Sequence, residues 1–450
     1  MPQKQYGNRL EEKNIRKLIW SMCTQTTLSI LLYNIYMITD TLYVTRGIGS
    51  VAGGAIGIYM PAGMLINGIT STLATGSSSC ISRKLGEQDS VNSKAIIGCA
   101  VWVWILCAAL ITAAGMVFLN PILFLLGCTG AIYPYAVVYC RIMFAGTILS
   151  TGFSGIMRAE GDIAYAMQQW CIPVMINMLL DPLFIFVFHW GIAGAAFATV
   201  LAQFYAVINS IYYFFFRKAT PCRIMICDIR WNQKSFQEIM KIGMPSLLNS
   251  ICQSLTGTIG NQILGQVGGA QAISVYTVTS RILSLLATPY TGMMQGIQPI
   301  LGYDYGRKRW DRLGQTVRYA FRIAAGYGIL IWLCSQIMTV QLLQIFMKDP
   351  MVVAKGEFAL RILSTGLLVG GVLPIVQACF QAYGFGKRVL QSGMISMLLI
   401  KLPLILITGY LRQITAVWTG LALGDLLTAF LAIGMYSRYI RKNVFESNRK

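Results

Sequence analysis

The chain has 450 residues, of which 56% are hydrophobic and only 12% are charged, about half the charged fraction of an average soluble protein. This composition leaves too little polar surface for a soluble globular protein and indicates a protein that crosses a membrane several times. The net charge of +20 would suit a nucleic-acid partner, but the basic residues lie in short segments between apolar runs. We therefore expect no nucleic-acid partner.

Apolar segments long enough to cross a bilayer recur along the whole sequence. The first follows a polar, basic stretch at residues 1–17. It is too long for the apolar region of a signal peptide and lacks a small-residue cleavage site, so we expect it to remain as a span. The pattern predicts an all-α membrane protein with about twelve spans, at residues 18–44, 54–80, 95–118, 133–156, 163–188, 191–216, 243–266, 270–300, 319–345, 357–382, 388–410 and 413–437.

Basic residues are distributed very unevenly between the two sides of this topology. If both termini lie on one side, the loops of the opposite side carry only Arg46, Lys348, Lys355 and Arg412. Segments rich in Lys and Arg stay in the cytoplasm. We therefore expect a multi-pass protein of the cell membrane with both termini in the cytoplasm.

The longest connection, residues 217–241, divides the spans into two sets of six. At an offset of about 221 residues several features recur, among them Gly161 with Gly384 and Pro182 with Pro403. Because six spans return the chain to its starting side, the halves should be parallel repeats around a central cleft. We predict a monomer with an amino-terminal lobe at 1–216, a cytoplasmic linker at 217–241, a carboxy-terminal lobe at 242–437 and a tail at 438–450.

Two aspartates, Asp40 and Asp181, lie inside predicted spans, where a carboxylate costs at least about 2.5 kcal/mol and is functional by default. Helical rise places Asp40 about 6 Å, Asp181 about 10 Å and Thr199 about 12 Å from the same side of the membrane. Asn177 lies one turn before Asp181. These oxygens suit a small hard cation or a carboxylate pair that shares a proton. Alternatively, Asp40 is a wet residue at a span end and Asp181, before Pro182, caps a helix.

The second half carries its own intramembrane charges. Lys401 and Asp425 fall on neighbouring spans at similar predicted depth, so we expect them to form an ion pair. A structural lock is the favoured role of this pair, and direct contact with substrate is the alternative. Arg141, Arg281 and Arg361 also fall within spans, where snorkelling or pairing with carbonyl groups is expected.

A central cleft in such a protein would be lined by aromatic and methionine side chains. Aromatic faces attract organic cations, and flexible methionines adapt to ligands of varied shape. Each of these side chains could instead face lipid or pack within the lobe. The candidates are Tyr36, Tyr59, Met60, Met64, Tyr139, Tyr276, Met293 and Met294.

The chain resembles the multidrug and toxic compound extrusion transporters, especially the bacterial multidrug-efflux branch, in three segments. These are N-I-Y-M-I-T-D-T-L-Y-V around Asp40, the stretch 158–203 that contains N-M-L-L-D-P and G-I-A-G-A-A, and G-M-M-Q-G-I-Q-P-I-L-G-Y-D-Y-G-R at 292–307. The resemblance implies alternating-access export of amphipathic organic cations in exchange for H⁺ or Na⁺. It places the ion site at Asp40, Asn177, Asp181 and Thr199, with no cofactor and no metal beyond a coupling Na⁺.

Three other functions remain as alternatives. A flippase for lipid-linked precursors, from the same superfamily, would need a basic cavity for phosphates. An intramembrane enzyme is disfavoured, because the chain has one histidine, His189, and no nucleophile–base spacing. A passive channel is disfavoured because a two-lobe repeat suits a carrier better. The residues that keep the flippase open are Arg141, Arg281, Arg361 and Lys401.

Overall fold

The computed structural model describes residues 10–126, 128, 130–149, 153–217, 220, 222–345, 350–411 and 413–440. Residues 1–9, part of the predicted linker (218, 219 and 221), Lys348, Arg412 and the predicted tail from residue 441 onward lie outside the described residues. The described part of the chain is helical and contains no strand. Helices satisfy every backbone polar group within one segment, as a lipid environment requires.

The first half of the chain forms the first six predicted spans. The second span is longer than predicted and runs to Gly86, and the fifth and sixth spans each end in a π-helical turn. The helices are α1 (Ile15–Gly47), α2 (Ser50–Gly86), α3 (Ser90–Val117), α4 (Leu119–Leu125), α5 (Tyr133–Gly146), α6 (Ser154–Ala159), α7 (Ile163–Pro182) with a π-turn at Leu183–Val187, and α8 (Gly191–Ile211) with a π-turn at Tyr212–Phe216.

The second half opens with α9 (Gln233–Gly306), in which Gly269 has a φ of 65° and separates two helices, the predicted seventh and eighth spans. The remaining helices are α10 (Trp310–Ile337), α11 (Thr339–Gln344), α12 (Pro350–Leu363), α13 (Val372–Ala382), α14 (Gly386–Met394), α15 (Leu402–Tyr410) and α16 (Ile414–Met435), with a π-turn at Ile395–Lys401 between α14 and α15.

Nine helices of the described chain are long and apolar enough to cross a membrane. The long helix α1 and the two parts of α9 account for the other predicted spans. The tenth span differs from the prediction, because a 3₁₀ turn at Ser364–Leu368 interrupts it between α12 and α13. Gly366, Gly370 and Gly371 weaken the helix there.

The described chain packs as two compact units. The first unit is built mainly from residues 28–243, and the second from residues 12–27 together with the described residues from Met244 onward. The start of α1 therefore packs with the second unit, whereas its later part, which carries Asp40, packs with the first. The predicted lobe boundaries placed the whole of α1 in the amino-terminal lobe, at residues 1–216.

Three left-handed backbone positions recur at corresponding places in the two units. In both, residues with positive φ stand after the first, second and fourth spans, including two that are not glycine. Left-handed backbone is unfavourable for most side chains, so its recurrence marks a shared turn geometry. The corresponding pairs are Gly49 and Gly269, Gln88 and Lys308, and Gly161 and Gly384.

Candidate functional site

The carboxyl groups of Asp40 and Asp181 meet inside the first unit. Asp40 on α1 is 4% exposed and Asp181 on α7 is fully buried. The two side chains share a hydrogen bond. Because an ionised carboxylate can only accept, a hydrogen bond between two carboxyl groups needs a proton on one of them. This arrangement is suited to holding one proton between two acidic groups.

Asn177 and Thr199 extend this hydrogen-bonded group. Asn177 lies one helical turn before Asp181 and hydrogen-bonds its carboxyl group. The Nδ2 atom of Asn177 donates to Oγ1 of Thr199 on α8 at 3.2 Å, and Thr199 donates to the carbonyl of Ala195 at 3.1 Å. Both side chains are buried. The structure thus brings together all four residues of the predicted ion site, in one chain of contacts from α1 through α7 to α8.

The local geometry does not fit the two simpler interpretations of the aspartates. Asp40 is buried rather than wet, and its Oδ1 atom has no hydrogen-bond partner among the described residues. Asp181 lies inside a helix that continues through Pro182 into the π-turn at Leu183–Val187, so it does not cap a helix start. Proline lacks an N–H group and π-turns shift the helical register, so the regular α-helical hydrogen bonding is interrupted beside the acidic pair.

Tyr36 belongs with these residues and not only with the predicted substrate wall. Its side chain hydrogen-bonds Thr199, and it precedes Asp40 by one helical turn on α1. The i, i+4 spacing of Tyr36 and Asp40 was the sequence signal for this role. The prediction assigned Tyr36 by residue type alone and so missed the contact.

Other aromatic side chains of the first unit pack against one another in pairs. The ring of Tyr59 meets that of Tyr139 edge to face, with the centroids 5.7 Å apart. Tyr33 packs in the same way against Trp170 at 5.3 Å. Tyr139 is buried, and Met60 and Met64 are exposed. These are two separate aromatic contacts, and one of them includes Trp170, which the sequence prediction did not name; a role of these side chains in binding substrate stays a prediction.

The candidates of the second unit are held in packing contacts. Tyr276 stacks on Trp418 with ring centroids 6.0 Å apart, and Met293 is buried whereas Met294 is half-buried. Such contacts are typical of side chains that stabilise a helical unit.

Lys401 and Asp425 form the predicted contact in the second unit. The Nζ atom of Lys401 lies 2.6 Å from Oδ1 of Asp425, and the side chains are 22% and 36% exposed. Arg361 pairs with Glu357 at 2.7 Å, so two of the four basic residues that a flippase would require already contact carboxylates. Nothing in the described part of the chain favours a phosphate-binding cavity.

The chain is similar to known proteins over most of its length. A family model described as MatE matches residues 26–183 and 245–407. Among curated proteins, the chain is 25% identical over 429 residues to the multidrug export protein MepA of Staphylococcus haemolyticus, covering 94% of this chain and 93% of the relative. It is also 25% identical over 385 residues to MepA of Staphylococcus aureus, covering 84% of each chain.

Solved structures share the fold. An outward-facing multidrug resistance MATE family transporter of the MOP superfamily is 23% identical, with a TM-score of 0.92 and 99% of each chain covered. A MOP superfamily transporter from Pyrococcus furiosus, described as having a binding pocket of reverse polarity that suggests a different function, is 22% identical, with a TM-score of 0.89 and coverage of 97% of this chain and 99% of that one.

Proposed function

Because this chain belongs to the MatE family, we propose that it is a secondary active multidrug exporter of the cell membrane, with both termini in the cytoplasm. It moves amphipathic organic cations out of the cell in exchange for a coupling ion, by alternating access. The names of the relatives, which are multidrug export proteins, support the substrate class. The proton is the coupling ion that the local chemistry favours, and Na⁺ is the alternative.

The observation that carries this proposal is the hydrogen bond between Asp40 and Asp181. Loss of the shared proton would leave two adjacent negative charges in an apolar interior, which is strongly unfavourable without a compensating cation. The pair therefore has two favourable states, one with a proton and one with a cation nearby. A carrier that alternates between these states exchanges one cation for the other.

Exchange follows if proton binding changes how the surrounding helices bend. Protonation removes the repulsion between the carboxyl groups. It also changes the charge that the hydrogen bonds of Asn177 and Thr199 must stabilise. Pro182 and the π-turn after it are the natural flexing point of α7. The coupling is reciprocal, so bound substrate weakens proton binding by the same factor by which protonation weakens substrate binding.

Ethidium transport in proteoliposomes tests this function, with a pH gradient or a Na⁺ gradient imposed separately. We expect transport driven by the pH gradient, lost in Asp181→Asn and retained in Glu87→Gln, which removes an exposed surface carboxylate. Transport driven only by Na⁺ would replace the proton as coupling ion. Gradient-driven transport that survives in Asp181→Asn would refute the assigned site, and no ethidium movement by correctly inserted protein would refute the substrate class.

A further inference from the structure

Both units join their fifth and sixth spans by a polar contact, but the chemistry of the two contacts differs. In the first unit the neutral amide of Asn177 donates to Thr199. In the second unit the donor is the charged ammonium group of Lys401 and the acceptor is the carboxylate of Asp425. The first contact leaves two nearby carboxyl groups for a mobile cation. In the second contact, the ammonium group of Lys401 already neutralises the carboxylate of Asp425.

The surroundings of this ion pair are shaped to hold it. Lys401 is the last residue of the π-turn Ile395–Lys401, which changes the register at which its side chain leaves the helix. On α16, a Cβ atom at Gly424 would lie 3.1 Å from Cγ of Lys401, so the glycine gives the lysine stem room to lie against the helix. A Cβ atom at Gly366 would lie 2.5 Å from Oδ2 of Asp425.

Gly366 also stands at a break in the tenth span. It belongs to the 3₁₀ turn Ser364–Leu368, and Tyr290 Oη donates to the carbonyl of Leu367 in the same turn at 2.6 Å. Interrupted membrane helices commonly surround ion and substrate sites, because their free backbone groups face the ligand. The carboxylate of Asp425 therefore lies where a cation site would be built.

Among the described residues of α12 to α16 and of the turns between α12 and α15, Lys401 is the one charged group paired with Asp425. Of the remaining charged residues on α12 to α16 and on the turns between α12 and α15, Glu357 and Arg361 pair with each other. Lys355 donates to Gln271, and Arg388 donates to Gln391. Lys387 lies next to Arg388 at the start of α14, whereas the eleventh span ends at Tyr410. The side chain of Asp425 is 36% exposed, so the protein packing does not enclose it completely.

We propose that Asp425 is a cation site that Lys401 fills from within, so that a tethered ammonium group replaces a second mobile coupling ion. This inference rests on the proposed function, in which the first unit binds the exchanged ion. Its consequence is that the native protein couples export to the first unit alone. Removing the ammonium group opens Asp425 to one further monovalent cation, H⁺ or Na⁺.

Ion binding by the purified full-length protein tests the proposal directly. The key variant is Lys401→Met, which keeps the apolar stem and removes the charge. Its matched controls are Lys401→Arg, which keeps a tethered cation, and the double variant Lys401→Met with Asp425→Asn, which removes both charges. Binding of radioactive Na⁺ and potentiometric proton titration distinguish the two ions. We expect Lys401→Met to bind about one more cation per chain than the wild type and both controls.

Transport supplies an independent readout of the same change. At zero membrane potential and a tenfold ion gradient, exchange for one ion accumulates substrate up to about tenfold, and exchange for two ions up to about 100-fold. We expect substrate accumulation by Lys401→Met to exceed the one-ion limit and to approach the two-ion limit. Wild-type protein that shows no gradient-driven export would refute the proposed function, but the extra cation bound by Lys401→Met would still stand as a separate result.

Two results would overturn the proposal that Lys401 acts as a tethered cation at Asp425. One is equal cation binding by Lys401→Met and by the double variant, both shown to be folded by size-exclusion chromatography. The other is failure of both Lys401→Met and Lys401→Gln to fold at high Na⁺ and at acidic pH, while the double variant folds. In that case no mobile cation compensates Asp425, and the pair is a structural lock.

Discussion

Glu160 lies in the short turn between α6 and α7 and is a buried carboxyl group outside the membrane spans. Tyr213 Oη donates to its Oε2 atom at 2.8 Å. Burial raises the pKa of Glu160 from an ordinary 4.5 to about 8. This net pKa includes a smaller increase caused by the charge of Asp162. It also includes decreases caused by the hydrogen bonds from Tyr213 and the backbone of Cys222 and by the charge of Arg217. The folded protein thus keeps this carboxyl group protonated near neutral pH.

The sign of the effect on stability follows from the two protonation equilibria. Below the unfolded pKa of 4.5, folded and unfolded chains both hold the proton, so Glu160 does not change the stability with pH there. Between 4.5 and about 8 the unfolded chain releases the proton and the folded chain retains it, so stability falls as pH rises. At 1.36 kcal/mol per pH unit the loss reaches on the order of 5 kcal/mol and then levels off.

Glu160→Gln removes this pH dependence while it keeps the shape of the neutral side chain and the acceptor for Tyr213. We expect the apparent Tm of the variant, measured at a fixed scan rate in detergent, to match the wild type near pH 5. The variant should then gain a growing advantage up to about pH 8. Glu87→Gln, at an exposed position, serves as the control. Parallel curves for Glu160→Gln and wild type over this range would refute the reasoning.

Two further predictions concern packing and charge. Arg312→Met should lower the free energy of unfolding by about 3–5 kcal/mol, because it removes a cation that contacts the fully buried carboxylate of Asp304 at 2.8 Å. Arg361→Met, which breaks a more exposed pair, should cost about 1 kcal/mol or less; equal losses in apparent Tm would contradict this. Gly98→Ala should destabilise by about 1–3 kcal/mol, since its Cβ would clash with the backbone carbonyl oxygen of Asp228. Gly57→Ala, with nothing within 4 Å of its Cβ, should be neutral or stabilising in the same assay.

The helices could be predicted from the sequence because a bilayer imposes one length and one composition on each span. Their irregularities could not. The 3₁₀ turn at Ser364–Leu368 and the π-turn at Ile395–Lys401 leave the average hydropathy unchanged, since they alter hydrogen bonding and not composition. Glycines near residue 370 were visible, but a glycine in a membrane helix more often signals close packing than a break.

The polar residues of the site were predictable for a different reason. A carboxylate in an apolar run stands out against its background, and helical rise gives its depth, so Asp40, Asp181 and the contact between Lys401 and Asp425 followed from counting residues. The role of Tyr36 did not follow, because tyrosine is common in membrane helices. Its i, i+4 spacing from Asp40 indicates a shared helix face, and the contact with Thr199 on α8 distinguishes it from the other tyrosines.

The left-handed turns described above are also consistent with an origin of the two units by gene duplication. Gln88 and Lys308 share no chemistry, yet both adopt a backbone conformation that neither side chain favours. Such agreement is what duplication of an ancestral gene of half this length predicts, with the turn geometry inherited and the side chains free to diverge. An ancestor with six spans would have inserted in the same orientation in every copy. The differences between the two units, including Lys401, are then the changes that followed duplication.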